Sequence, residues 1–118
     1  MKTQLPMGLL IWCLLARVVV AQPSEPSTCD QQQSQEQVQR LTDATTIVSI
    51  DQFPPYITVV VTERAWKKMN LDAKQALAFH VDCSIAGPDN PAFRVISIRS
   101  KTDNRQLAVY SQNHLTLE

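Results

Sequence analysis

The chain has 118 residues, 44% apolar, 19% charged and 6% aromatic, with two Gly, seven Pro and three Cys, a size that holds one small domain. Eleven Lys and Arg balance eleven Asp and Glu, so no basic excess points to nucleic acid. Gly87 is the sole glycine after residue 21, which excludes a Gly-rich phosphate cradle and with it P-loop and dinucleotide chemistry.

Residues 1–21 read as a secretory signal. Lys2 supplies the positive start, Met7 to Ala16 the apolar run, and Val19 with Ala21 the small-residue cleavage pattern, so cleavage is expected after Ala21. A spanning helix needs about 20 apolar residues. Met7 to Ala21 supplies 15 with Arg17 among them, so no stable membrane span is expected after cleavage. Arg17 is late for a signal and leaves retention of the leader as an anchor open. Neither Cys13 nor Cys29 sits in an acylation pattern. The expected location is periplasmic or secreted, and without the leader nine bases face eleven acids.

Residues 22–44 form a polar stretch. Gln22 to Arg40 holds seven Gln and two Pro, with only Cys29 and Val38 apolar, and reads as a linker or loosely held arm. Ser34 with Gln37 could cap a short helix whose weak face is Val38 and Leu41. A domain is expected over residues 45–118. Thr45 to Ile50 is a β-branched strand stopped by Phe53-Pro54-Pro55, and Tyr56 to Thr62 is a second, with Ile57, Val59 and Val61 on one apolar face.

Asn70 is a good N-cap, and Gly87-Pro88 a good stop, for a main helix over residues 71–86. It carries two apolar stripes, Leu77, Val81 and Ile85 to pack on a sheet, and Phe79 and Cys83 in need of a second cover. Ala92 to Ser100 reads as a strand, Lys101 to Arg105 as a turn, and Gln106 to Ser111 as the hairpin partner. These elements predict an α+β fold in ββαββ or βαββ order, one main helix on a three- to four-stranded, mostly antiparallel sheet.

Export leaves two cysteines, Cys29 and Cys83, and in an oxidising compartment an even pair is most simply one disulfide, within the chain or between two chains. The alternative joins His80 and Cys83, at i and i+3 on one helical flank, as a base and thiolate or a metal pair. A structural metal site needs about four ligands. The only other histidine is His114, so no metal or cofactor is expected. Asp72 and Asp82 do not meet by local spacing, and no G-x-S-x-G, H-E-x-x-H or calcium-loop pattern occurs. Trp66, flanked by Arg64, Lys67 and Lys68, has two readings. It plugs the end of the core with Met69 while the lysines face water, or the four residues form a binding patch for an acidic or carbohydrate ligand.

The βαββ order, with Trp66 after the strongest strand, the Asn70-capped helix and the last hairpin leading into Leu107-Ala108-Val109-Tyr110, is similar to small exported bacterial domains, including those of secretion and conjugation machinery. That likeness is one of fold and implies no residue roles. The expected function is an exported, non-enzymatic interaction module, an accessory component of a bacterial envelope assembly whose partner is another envelope protein. The alternatives are a periplasmic domain that binds a small ligand or an envelope polymer, and a thiol- or metal-dependent enzyme. A small open sheet supplies the mechanism, since its edges can accept a partner strand while Val95 or Val109 makes pocket contacts.

Overall fold

Tyr56–Val61 and Val95–Ser100 both alternate with period two and pair side by side inside a five-stranded sheet, Val95–Ser100 at its centre. The computed structural model describes residues 28–88 and 94–118; the leader expected over residues 1–21 lies outside them, as do Asp89 and the expected strand start at Ala92. In chain order the elements are α1 (Gln31–Asp43), β1 (Ile47–Phe53), β2 (Tyr56–Val61), α2 (Glu63–Lys68), α3 (Leu71–Ala86), β3 (Val95–Ser100), β4 (Gln106–Ser111) and β5 (His114–Leu117). The sheet order follows the chain, β1-β2-β3-β4-β5, with β2 and β3 parallel and every other pair antiparallel. Neighbouring parallel strands need a long crossover, and α2 and α3 supply it.

Register assembles the core in rows. Ile57, Ile96, Tyr110 and Leu115 line up across four strands, Val59, Ile98 and Ala108 form the next row, and all are buried. Leu77, Ala78 and Val81 of α3 and Trp66 of α2 belong to the same core. Each large aliphatic side chain buried here contributes about 1.5–3 kcal/mol. No described element covers the opposite face, which carries Phe53, Tyr56, Thr58, Val60, Ser97 and Val109 in half-exposed or exposed positions.

Helix α3 has the expected ends. Asn70 Oδ1 accepts from the Ala73 N–H at 2.8 Å, and Gly87 stops the helix at φ +70° and ψ −160°, a backbone region open essentially to glycine alone. Its aliphatic stripe meets the sheet, as the spacing predicts.

One expectation requires correction. The stretch expected as an arm is a helix from Gln31 onward. Asp30, not Ser34, is the N-cap, its carboxylate accepting from the Gln33 N–H at 3.1 Å, and Ser34 is buried within α1. Val38 and Leu41 do pack on the core, and α1 is the cover that the second side of α3 needs. The α+β architecture is the expected one, and the sheet extends it to five strands, one beyond the three to four read from sequence. Gln112 and Asn113, both at positive φ, reverse the chain into β5, which carries Leu115 into the core.

Candidate functional site

Cys29 and Cys83 are joined by a disulfide within the chain, with Cα atoms 5.7 Å apart, and it ties the start of α1 to the last turns of α3. The Cys83 sulfur is therefore no thiolate, and His80 meets a different partner. Its Nδ1 lies 2.8 Å from Ser34 Oγ, and both residues are buried between α1 and α3. Gln31 and Gln35 of α1 donate side-chain hydrogen bonds to the Ser84 carbonyl oxygen at 3.2 and 3.4 Å. Ser34 is 1% exposed, so this serine–histidine contact is shut away from solvent and works as a joint between helices.

Burial pushes the His80 imidazole below its ordinary value, because desolvation disfavours the cation. The unfolded chain therefore holds more protons than the folded chain as pH falls through the ordinary imidazole range, and folding stability falls with it. The denaturant midpoint is expected to drop from about pH 7 to about pH 5.5, and the His80→Asn protein, which keeps a hydrogen-bonding group near the Nδ1 position, is expected to show a flatter profile. Equal profiles for the two proteins exclude His80 as the source.

Asp82 leaves α3 on another side. Its Oδ1 accepts from Arg94 Nε at 2.7 Å, with side-chain exposures of 7% and 17%. Burial raises the Asp82 carboxyl, and Arg94 opposes that shift. Among the described residues, no cluster of three or more His, Cys, Asp and Glu is placed to hold a metal ion.

The residues singled out around Trp66 separate in the fold. Trp66 is 4% exposed and belongs to the core, with Lys74 Nζ 5.2 Å from its ring centroid. Arg64, Lys67 and Lys68 face solvent on the short helix α2, and Lys67 pairs with Glu63 at 3.4 Å. The aromatic is thus not displayed among the three cations.

The exposed aromatic surface lies at the other end of β2. Pro54 and Pro55, joined by a cis peptide bond, make a two-residue connection between Phe53 and Tyr56, which are partners in the β1–β2 register. Neither proline has an N–H to donate, and the Pro55 carbonyl accepts from the Val95 N–H at 3.3 Å. Phe53 is 81% exposed and Tyr56 59%. Both lie on the uncovered face of the sheet, in one row with Val95. Beside them runs the outer edge of β1, unpaired among the described residues and interrupted by a register shift at Val48, itself 40% exposed. The shorter β5 forms the opposite edge.

The pattern Phe-Pro-Pro-Tyr signalled a turn in the sequence, but not that both aromatics stay in solvent. Comparison with known protein families, with curated proteins and with solved structures finds no match in any of the three. Among the described residues, no helix is long and apolar enough to cross a membrane.

Proposed function

We propose that the chain is an exported, non-enzymatic interaction module that docks a partner protein on the β1 edge and the Phe53/Tyr56 tip, as an accessory component of a bacterial envelope assembly. The observation that carries this reading is the exposure of Phe53 and Tyr56 side by side next to an unpaired strand edge. Large exposed aromatics are costly to leave in water, and in interfaces they are the commonest energetic anchors. An unpaired edge adds a row of backbone donors and acceptors for a partner strand. The disulfide supports an oxidising compartment, where such bonds persist. Val95 and Val109, on the uncovered face, flank the tip and the middle of the sheet as side-chain contacts.

A photo-crosslinker at position 53, introduced in the exporting cell, is expected to trap one defined protein, whereas the same group at Lys68, at the far end of β2, traps none. The Phe53→Ser/Tyr56→Ser protein folds normally, because neither side chain is in the core. Its affinity for that partner is expected to fall by roughly 30-fold or more, the loss of a hot-spot pair. Retention of full affinity by the double variant defeats the reading.

A further inference from the structure

The parallel pairing of β2 and β3 has an electrostatic consequence. Because Val61 and Ser100 are register partners, whatever follows either strand emerges at the same end of the sheet. After β2 come α2 and the start of α3, with Arg64, Lys67, Lys68 and Lys74; after β3 comes the turn with Lys101 and Arg105. Contacts fasten the two segments together. The Lys101 N–H donates to the Val61 carbonyl at 2.9 Å, and the Glu63 carboxylate accepts from Arg105 at 2.5 Å and from Ser100 Oγ at 3.2 Å.

These six of the nine cations that follow residue 21, with Arg99, which donates to the Asn104 carbonyl, thus gather at one end, against Glu63, Asp72 and Asp103 and against Asp43 and Glu118, which β1 and β5 bring to the same end. The rest of that sequence holds two cations and six acids. The chain is therefore polarised, with more cations than acids at this end and more acids than cations over the rest, and the basic end lies one strand length, about 20 Å, from the aromatic tip.

We propose that this basic end docks on the surface of a bilayer rich in anionic phospholipid, holding the module with Phe53 and Tyr56 turned away from the membrane. Arg64, Lys68 and Lys101 are exposed, and the Lys67 and Arg105 side chains stay 72% and 54% exposed while pairing with Glu63 and, for Arg105, Asp103. Trp66 is buried beneath Lys74 and offers no ring for a base or a sugar to stack on, so the surface recognises charge and not a ring. Leu71, 55% exposed at the junction of α2 and α3, stands among these cations. An apolar side chain amid lysines suits a headgroup layer over acyl chains better than a soluble polyanion. The assignment is independent of the partner-docking reading, since the two surfaces share no residue.

The test is flotation of the chain recovered after export with vesicles of phosphatidylcholine alone or with 30% phosphatidylglycerol. Binding to the anionic vesicles at low salt, its release at high salt, and its absence on neutral vesicles are the expected results. The Lys67→Ala/Lys68→Ala/Lys101→Ala protein is expected to lose affinity about a hundredfold, roughly fivefold for each cation removed. Leu71→Ala is expected to weaken vesicle binding. Equal binding to both vesicle types, no binding to either, or binding of the triple variant at full strength overturns the proposal. So does tight binding of inorganic polyphosphate with none to vesicles.

Discussion

Removing the disulfide, as Cys29→Ala/Cys83→Ala, should cost about 4 kcal/mol, because the bridge closes a loop of roughly 55 residues in the unfolded chain. That is a large share of the roughly 5–15 kcal/mol that holds a typical domain. For a domain of this size each kcal/mol moves the melting temperature by roughly 4–8 °C, so a fall of about 15–30 °C is expected in a thermal melt. Reductant should reproduce the loss in the wild-type protein and add nothing in the variant. The location of the damage is equally specific. Helix α1 has a thin apolar face, Val38 and Leu41, and is held mainly by the bridge and by the Ser34, Gln31 and Gln35 contacts to α3. Its amides, Gln31–Asp43, should therefore lose exchange protection before those of β2 and β3. A loss below about 1 kcal/mol would mean that the bridge constrains little.

Asp82→Ala is expected to be nearly as damaging, by about 3 kcal/mol, because it strands the Arg94 guanidinium, which is largely withdrawn from solvent. Among the described residues Arg94 Nη2 has no hydrogen-bond partner and the Asp82 carboxylate is the acid that pairs with this cation. In urea the midpoint should fall by more than about 1.5 M. The double change Asp82→Leu/Arg94→Met removes both charges at similar volume and should recover most of that loss. If the double variant is no more stable than Asp82→Ala, the damage comes from packing around α3 and not from an orphaned charge. Together with the acid sensitivity expected of His80, these variants separate three polar devices on one helix: a crosslink, an ion pair and a neutral imidazole.

Much of the fold was legible locally. Helix α3 runs over the expected residues because Asn70 and Gly87 mark its ends chemically, and β2 alternates as its sequence does. The bond between Cys29 and Cys83 was expected from parity and from the export that residues 1–21 suggest, although sequence left its intra- or interchain nature open. Helix α1 was not legible as a docked element. Its Gln, Glu and Arg residues are fair helix formers, yet Val38 and Leu41 are too few to make an apolar stripe, and its docking depends on residues about 50 positions away. The burial of Trp66 was the preferred of two readings in sequence, since a large aromatic between a strand and a helix belongs to the core more often than to a surface patch. Alternation along β2 already put Tyr56 on the face opposite the core, whereas the exposure of Phe53 beside it depends on the β1–β2 register, which no local pattern gives.

Local chemistry alone determined the ends of α3, the two faces of β2 and the turn before β4, because caps, alternation and turn residues act within a few residues, and counting made a cysteine bond the simplest expectation without saying whether it joins one chain or two. Tertiary structure decided where α1 lies, that Trp66 faces inward while Phe53 faces water, and that two separate runs of cations share one end. Those outcomes depend on the parallel register of β2 with β3 and on a covalent tie between distant helices, and contacts at that separation are set by which surfaces bury each other, which no local pattern records.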